Sequence, residues 1–431
     1  MDMSEPPRTG IAAAHGAARG GFAQIAASRL ILQALVVVAL VLVAHSAITI
    51  HAPEWLGQTK ILTDFDAFYI AGTLAGRGDA ADAYAARTML PALAEVSATD
   101  SFMPWTYPPP FTLVMDAFAR LPIGASYAIF ALGTFGLYLA VLRKIAGPYL
   151  AGAVLLVLPV VILNLRTGQN GMLIAALVGL ILLGWRDRKP GAGIPLGLMI
   201  IKPHLAAGVG LLALSSKRWE MIAGAAVVAG LALTLSTMAY GIEIWSAFGG
   251  AVREASVFLE KGLYPLFRMN SAYAALHRLG LPPAAAMSGH IVVALAALGL
   301  LGWACTARIA FPARAALICA LSMFVSPYNY DYDLAVLGVA AAFLLPDLLE
   351  KCSAVELGGL LGLAWLACGY GLVTQIVSER MQRDGESSMA GASNQPSLTF
   401  FLLLAACAYA AYLMARPQRD DTTADAPQLP A

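Results

Sequence analysis

The sequence predicts an all-α polytopic membrane protein, and three observations lead to that fold class. Apolar residues fill 59% of the 431 positions and charged residues only 12%, whereas a soluble domain carries roughly 25% charge. Mean hydropathy is +0.72. Apolar runs long enough to cross a bilayer recur along the chain, and helices satisfy their own backbone polar groups in hydrocarbon.

The apolar runs predict about ten full transmembrane helices. They cover residues 30–50, 124–143, 149–166, 170–185, 219–239, 284–307, 312–326, 332–346, 356–376 and 397–415. The first run is too long for the apolar core of a signal peptide, so we interpret it as a retained helix. Together they form a transmembrane domain, residues 30–416, between an N-terminal tail, 1–29, and a C-terminal tail, 417–431.

Basic residues predict the orientation. If the spans alternate, one side receives Arg143/Lys144, Arg186/Arg188/Lys189, Lys217/Arg218, Arg308/Arg314, Lys351 and Arg416/Arg419. The positive-inside rule assigns that side and both termini to the cytoplasm. The opposite face receives two long loops, 51–108 and 240–283, and the turns near 166–170 and 326–331. We therefore expect the polar chemistry on that non-cytoplasmic face.

Two further apolar segments do not fit a full crossing. Residues 109–121 predict a short helix. Residues 191–215 predict a broken, re-entrant element that pauses after Ile201 and resumes at Pro203, because proline suits the first position of a helix. Broken helices at membrane depth occur only inside protein or beside a water-filled cavity. Lys202, at the break, is therefore expected to face a site.

The composition excludes several classes of function. The net charge is +1 with no basic block, so nucleic acid is not an expected partner. The five cysteines, Cys305, Cys319, Cys352, Cys368 and Cys407, lie in or beside apolar runs without metal-site spacing. No GxSxG, HExxH or Walker A motif occurs. We predict no metal ligands and no cofactor, and the use of a divalent cation stays open.

The first long loop carries two aspartates, Asp64 and Asp66. Thr63 as N-cap with Asp66 three residues later forms a capping-box pattern, which predicts a helix over about 64–76. Residues two apart on a helix point roughly 200° away from each other, so only one aspartate faces an acceptor. We choose Asp64 as general base, although an anion at a helix start is also favourable structurally. Asp66 fits the cap and is the alternative base.

Five segments in order resemble a known family. They are Asp64-Phe65-Asp66-Ala67-Phe68-Tyr69-Ile70-Ala71-Gly72, Tyr107-Pro108-Pro109-Pro110-Phe111, Asn164 to Gly171, Gly197 to His204, and Ser326 to Asp333. Their order and spacing resemble the bacterial polyprenyl-phosphate-dependent glycosyltransferases of family 87, which have the GT-C fold. The resemblance covers about residues 30–350.

The resemblance implies a GT-C-like glycosyltransferase in the bacterial inner membrane. The implied reaction moves a hexose, mannose-like, from a polyprenyl-phosphate donor to a lipid or glycan acceptor on the periplasmic face, with inversion. The family pattern puts the catalytic carboxylate at Asp64.

Such a transfer needs cations for the phosphate that leaves. The predicted donor-phosphate site consists of Arg166, Lys202, His204, Gln169 and Asn170, assisted by the start of the half-helix after the break. Each residue except Lys202 has a structural alternative. Arg166 also fits an anchor at the membrane interface, Gln169 and Asn170 fit caps of the next helix, and His204 fits a packed or capping group.

Substrate contacts are predicted at Tyr69, Tyr328, Asp331 and Asp333, because aromatic rings and carboxylates bind hydroxyl-rich ligands. The alternative for residues 326–333 is an aromatic belt in which Asp331 caps the following helix. The second long loop carries Arg253, Glu254, Glu260, Lys261, Tyr264, Arg268 and Asn270. Because its charges are mixed, we interpret it as a solvated amphipathic stretch.

Two other classes of function stay open. A transporter or flippase of a lipid-linked glycan would use the broken element as its substrate site, although no internal repeat supports it. A non-catalytic assembly protein would not need Asp64, Arg166 and Asp331 on one face.

The orientation is testable by cysteine labelling. In a chain without its native cysteines, single cysteines at Thr59 and Lys261 should react with an impermeant thiol reagent outside intact cells, because both loops are assigned to the non-cytoplasmic face. A cysteine at Arg188 is the control and should react only after lysis. Labelling of Thr59 and Lys261 only after lysis would contradict the orientation.

Overall fold

The computed structural model describes residues 20–97, 102–383 and 395–416. Over these residues the chain consists of α-helices, short 3-10 helices and loops, with no β-strand. The predicted fold class, an all-helical polytopic membrane protein, is confirmed. Of the two predicted tails, residues 1–19 and 417–431 lie outside the described residues.

The α-helices are α1 (Arg29–His51), α2 (Asp64–Gly76), α3 (Ala86–Val96), α4 (Pro109–Ala119), α5 (Ile123–Ala146), α6 (Leu150–Leu156), α7 (Leu158–Thr167), α8 (Gly171–Arg186), α9 (Gly193–Leu198), α10 (Ala207–Ser215), α11 (Trp219–Tyr240), α12 (Ile244–Glu260), α13 (Ala272–Arg278), α14 (Pro283–Thr306), α15 (Phe311–Ser322), α16 (Val336–Lys351), α17 (Ala354–Arg383) and α18 (Thr399–Ala415). The 3-10 helices are Pro53–Leu56, Asp82–Tyr84, Gly147–Tyr149, Pro190–Ala192, Met199–Ile201, Pro203–Ala206, Leu266–Arg268 and Asp331–Ala335.

Within the described residues, six helical stretches are long and apolar enough to cross a membrane. They are Arg29–His51, Ile123–Leu156, Trp219–Tyr240, Pro283–Thr306, Asp331–Lys351 and Ala354–Met381. Helix α6 belongs to the long stretch Ile123–Leu156, and the remaining predicted crossings correspond to shorter apolar helices, α7, α8, α15 and α18. The predicted span 149–166 is interrupted at Val157, where φ is −117° and ψ is 19°. In the described residues, six helical stretches therefore have the length and hydropathy of a full crossing, and the other predicted spans are shorter apolar helices.

The two segments that were not predicted to cross have the expected form. Helix α4 has 11 residues. The element 191–215 is broken at Lys202, whose φ of −144° and ψ of 71° are not helical. Pro203 then begins the second half as the first residue of a 3-10 turn that leads into α10. The break therefore turns the chain at the position that carries the lysine.

Helix α8 lies at the centre of the bundle, and apolar helices surround it. It packs against α5, α7, α9 and α16, and most of its residues are buried. At the periphery, only 11% of the apolar window of α11 is buried, compared with 72% for Asp331–Lys351. Apolar side chains such as Met238 and Val292 are exposed there. The outer helices therefore present an apolar surface suited to lipid.

Close packing at the centre depends on glycine. A Cβ at Gly171, the first residue of α8, would overlap the carbonyl oxygen of Tyr332. Asn164 donates to the same oxygen at 3.0 Å. A Cβ at Gly371 in α17 would overlap the carboxylate of Asp331. Because small residues let helices approach closely in membranes, these contacts hold the turn at 331–335 against two helices.

Gly171→Ala is expected to destabilise the protein, because the new Cβ meets a backbone oxygen that is itself hydrogen-bonded. Overpacking a core costs about 1–3 kcal/mol, which should lower the midpoint of thermal unfolding in detergent. Gly133→Ala in α5 is the matched control, since no atom lies within 4 Å of a Cβ there. Equal midpoints for the two variants would contradict the packing argument.

Candidate functional site

A cavity of about 860 Å³ lies where the two long loops meet. Its walls come from the loops 51–108 and 240–283, the helix break at Lys202, the turns at Gln169 and Tyr328, and Gln375, Ser378 and Glu379 of α17. The polar segments that we expected on one face therefore meet in one cavity. Helix α8 begins beside this cavity at Gly171 and ends at Arg186, which is 16 residues. At 1.5 Å per residue, its basic C-terminal end lies about 24 Å from the cavity.

Two copies of a short sequence pattern begin helices beside this cavity. Motif 1 is Thr63-Asp64-Phe65-Asp66, and motif 2 is Tyr330-Asp331-Tyr332-Asp333. The first residue of each is extended, with φ/ψ of −108°/167° at Thr63 and −107°/165° at Tyr330. The backbone conformation at the start of the two motifs is thus the same.

The second aspartate of each motif caps its own helix. Asp66 accepts a hydrogen bond from the N–H of Thr63 at 2.7 Å, and Asp333 accepts one from the N–H of Tyr330 at 3.2 Å. The capping box predicted at Thr63 is confirmed. In motif 2 the structure corrects the prediction, because the carboxylate of Asp333, and not that of Asp331, accepts this bond.

The same two aspartates also hold lysines. Lys60 lies 2.6 Å from Asp66, and Lys202 lies 2.7 Å from Asp333. Both carboxylates have no exposed side-chain surface. The ammonium of Lys202 also lies 4.4 Å from the ring centre of Tyr332, within cation–π range. The helix break therefore places a charged lysine on motif 2.

The first aspartates of the two motifs share one guanidinium, that of Arg268. Its Nη1 and Nη2 donate to Asp64 at 3.4 and 3.1 Å. Its Nε and Nη2 donate to Asp331 at 3.1 and 3.3 Å. Burial opposes the charge, but the two carboxylates outweigh it and raise the pKa of Arg268 well above its usual range. Arg268 therefore joins the first loop, the second loop and the start of α16.

Backbone pairing fixes the position of Arg268. It ends the 3-10 turn Leu266–Arg268, and the next residue, Met269, forms an isolated antiparallel bridge with Tyr330. The N–H of Asn270 donates to the carbonyl oxygen of Asn329 at 3.0 Å. The second loop is thus attached along the residues that precede Asp331.

The solvated interpretation of the second loop is wrong for Arg268, which is only 8% exposed. A signal for it was present in the sequence. Arg268 stands in the apolar run Pro265-Leu266-Phe267-Arg268-Met269, unlike Arg253 and Glu254, which are exposed on α12. A lone arginine among apolar residues in a loop indicates a buried partner.

Three residues of the predicted phosphate site line the cavity: Lys202, His204 and Gln169. The Nε2 of His204 is buried and has no hydrogen-bond partner among the described residues. Arg166 does not line the cavity; it pairs at 2.7 Å with Glu379, which does. Asn170 is fully buried at the N-cap of α8, where its side chain makes no capping bond.

Among the predicted substrate and base residues, Asp64 and Tyr328 line the cavity. Tyr69 does not, and its hydroxyl donates to the carbonyl oxygen of Leu121 at 2.8 Å. Asp331 and Asp333 are fully buried and reach the cavity only through Arg268 and Lys202. Their roles in binding stay predictions.

A comparison with protein families decides the class. A sequence model of glycosyltransferase family 87 matches residues 105–327, more than half of the chain. The chain belongs to glycosyltransferase family 87. No curated protein and no solved structure matches it. This family 87 protein is a membrane glycosyltransferase, and the transporter and assembly alternatives are set aside. The match contains Lys202 and Arg268 but neither aspartate motif.

Proposed function

We propose that this family 87 enzyme transfers a hexose, mannose-like, from a polyprenyl-phosphate donor to a lipid or glycan acceptor on the periplasmic face of the inner membrane. One observation carries the assignment of the base. Asp64 is the only carboxylate of the two motifs that lines the cavity, with 13% of its side chain exposed. Glu379 also lines it but neutralises Arg166.

The proposed reaction is a single displacement at the anomeric carbon. Asp64 takes the proton from an acceptor hydroxyl, whose oxygen forms the new glycosidic bond while the bond to the lipid phosphate breaks. Attack on the face opposite the leaving phosphate inverts the configuration. Each carboxylate oxygen has two lone pairs, so Asp64 keeps acceptor capacity while it is bound to Arg268.

We assign the departing phosphate to Lys202 and Arg268. An ammonium group has three N–H donors, and Lys202 gives one to Asp333. A guanidinium has five, and Arg268 gives four to the two aspartates. Both cations therefore keep a donor for the phosphate. The Nε2 of His204, two residues after Lys202, has no hydrogen-bond partner among the described residues. Arg166 contributes only if it leaves Glu379.

The acceptor is assigned to the aromatic part of the cavity. Tyr264 packs edge-on against Phe102 and Tyr328, with ring centres 5.6 and 6.3 Å apart, and all three line the cavity. Aromatic faces offer an apolar surface to sugar rings. Apolar lining residues such as Leu62 and Ile201 suit a lipid chain.

The test is transfer by purified protein in lipid with a panel of labelled polyprenyl-phosphate sugars. One donor is expected to be consumed. Asp64→Asn keeps the volume of the side chain but cannot accept the proton, so transfer should fall by about 10²-fold or more. Donor binding should persist because other residues hold the phosphate.

Asp66→Asn is the comparison variant. It weakens the cap of α2 and the pair with Lys60, so we expect a less stable protein with transfer retained per folded molecule. Full transfer by Asp64→Asn at normal abundance would exclude Asp64 as base. Loss of transfer in Asp66→Asn alone would move the role to Asp66.

Lys202→Ala is expected to weaken apparent donor affinity by roughly tenfold or more, since a charge-assisted hydrogen bond contributes about 1.5–3 kcal/mol. It also leaves Asp333 buried without its cation, which is destabilising. The double variant Lys202→Ala with Asp333→Asn removes that unpaired charge. Donor affinity equal to wild type in the double variant would contradict the assignment.

A further inference from the structure

The cluster formed by Asp64, Arg268 and Asp331 contains more carboxylates than cations. Arg268 lies within ion-pair distance of two carboxylates, so the three groups include one carboxylate more than they include cations. The neighbouring pair of Lys202 and Asp333 is balanced. A structure that only needed to neutralise Arg268 would require one aspartate, and each additional buried charge costs desolvation free energy.

Asp331 is held rigidly and cannot itself meet a substrate. Its side chain has no exposed surface. One carboxylate oxygen accepts a hydrogen bond from the N–H of Tyr332 at 2.8 Å. The carboxylate also packs so closely against Gly371 that a Cβ at that position would overlap it. Its remaining contacts go to Arg268. Any effect of Asp331 on the cavity therefore passes through that arginine.

Sharing the guanidinium changes what Asp64 can do. A carboxylate that has an arginine to itself is a weak base, because the full positive charge favours its ionised form. Arg268 divides its donors between two carboxylates, and its distances to Asp64, 3.1 and 3.4 Å, exceed the 2.7–2.9 Å typical of a tight ion pair. Asp64 thus keeps its orientation while part of the attraction is directed to Asp331.

We propose that Asp331 is a positioning residue: it takes part of the donors of Arg268 and so leaves Asp64 able to accept the acceptor's proton. This inference rests on the proposed function of Asp64. Arg268 orients the carboxylate of Asp64 through two hydrogen bonds. Asp331 accepts two further hydrogen bonds from the same guanidinium, so Arg268 is not paired with Asp64 alone. Two tyrosines of motif 2, Tyr330 and Tyr332, interact electrostatically with these groups. Around the tyrosines lie Tyr264, Tyr107 and the pair of Lys202 and Asp333, and His204 lies near that pair.

The pH dependence of kcat/KM tests the proposal, because a general base accepts a proton only in its ionised form. Asp331→Asn removes a negative neighbour and favours ionised Asp64, so the acid limb should move to lower pH. kcat at neutral pH should fall roughly tenfold, part of the 10²- to 10⁴-fold that acid–base catalysis contributes. Arg268→Gln removes the positive neighbour, so its acid limb should move to higher pH.

The double variant Asp331→Asn with Arg268→Gln isolates the charge of Asp331 even if Asp331→Asn alone does not fold. Its acid limb should lie below that of Arg268→Gln. Asp116→Asn is the matched control, because this buried carboxylate binds Arg120 and Tyr240 away from the cavity lining, and its acid limb should not move.

Opposite shifts in the two single variants support the proposal. Acid limbs that stay at the wild-type position, or that shift in the same direction, overturn it, since loss of structure alone lowers activity without such a pattern. An active Asp64→Asn variant would instead overturn the proposed function, and the two failures are therefore distinguishable.

Discussion

The guanidinium of Arg268 is the contact on which the arrangement of the cavity depends. It binds Asp64 at the start of α2 and Asp331 at the start of the 331–335 turn, and these residues lie more than 250 positions apart in the chain. Removal of one partner from a buried ion pair costs about 3–5 kcal/mol. The two motifs and the second loop therefore depend on each other for their positions.

The helix break at Lys202 contributes a second ion pair to motif 2, next to the pair of Arg268 and Asp331. A continuous helix through residues 191–215 would satisfy its backbone but would carry the lysine past motif 2. Pro203 begins the second half, and the non-helical conformation of Lys202 lets its ammonium reach Asp333 at 2.7 Å. Polar groups at membrane depth need such partners, since unpaired charge is costly there. The break brings Lys202 to Asp333, and the carboxylate of Asp333 provides the partner that the buried ammonium needs.

Packing of the central helices gives this polar centre its rigidity. Gly171 and Gly371 bring α8 and α17 into contact with the turn that carries Asp331. A side chain at either position would separate the turn from its neighbours and alter the distance from Arg268 to Asp64. The position of Asp331 therefore depends on two close contacts, that of Gly171 with the carbonyl oxygen of Tyr332 and that of Gly371 with the carboxylate of Asp331.

The sequence by itself determined the helical membrane class, the capped start of α2 at Asp64, the break at Lys202 and the family. The first three properties follow from local patterns, namely apolar run length, a capping box and proline at a helix start. The family follows from the resemblance of five segments in their order and spacing. Only the tertiary structure decided the ion pairs, because Arg268, Asp64 and Asp331 are distant in the chain and no local period relates them. For the same reason only the structure showed that Arg166 pairs with Glu379. The cap at Asp333 is a local contact, three residues from Tyr330, and was missed in the sequence. The interruption of the predicted span 149–166 at Val157 was also missed.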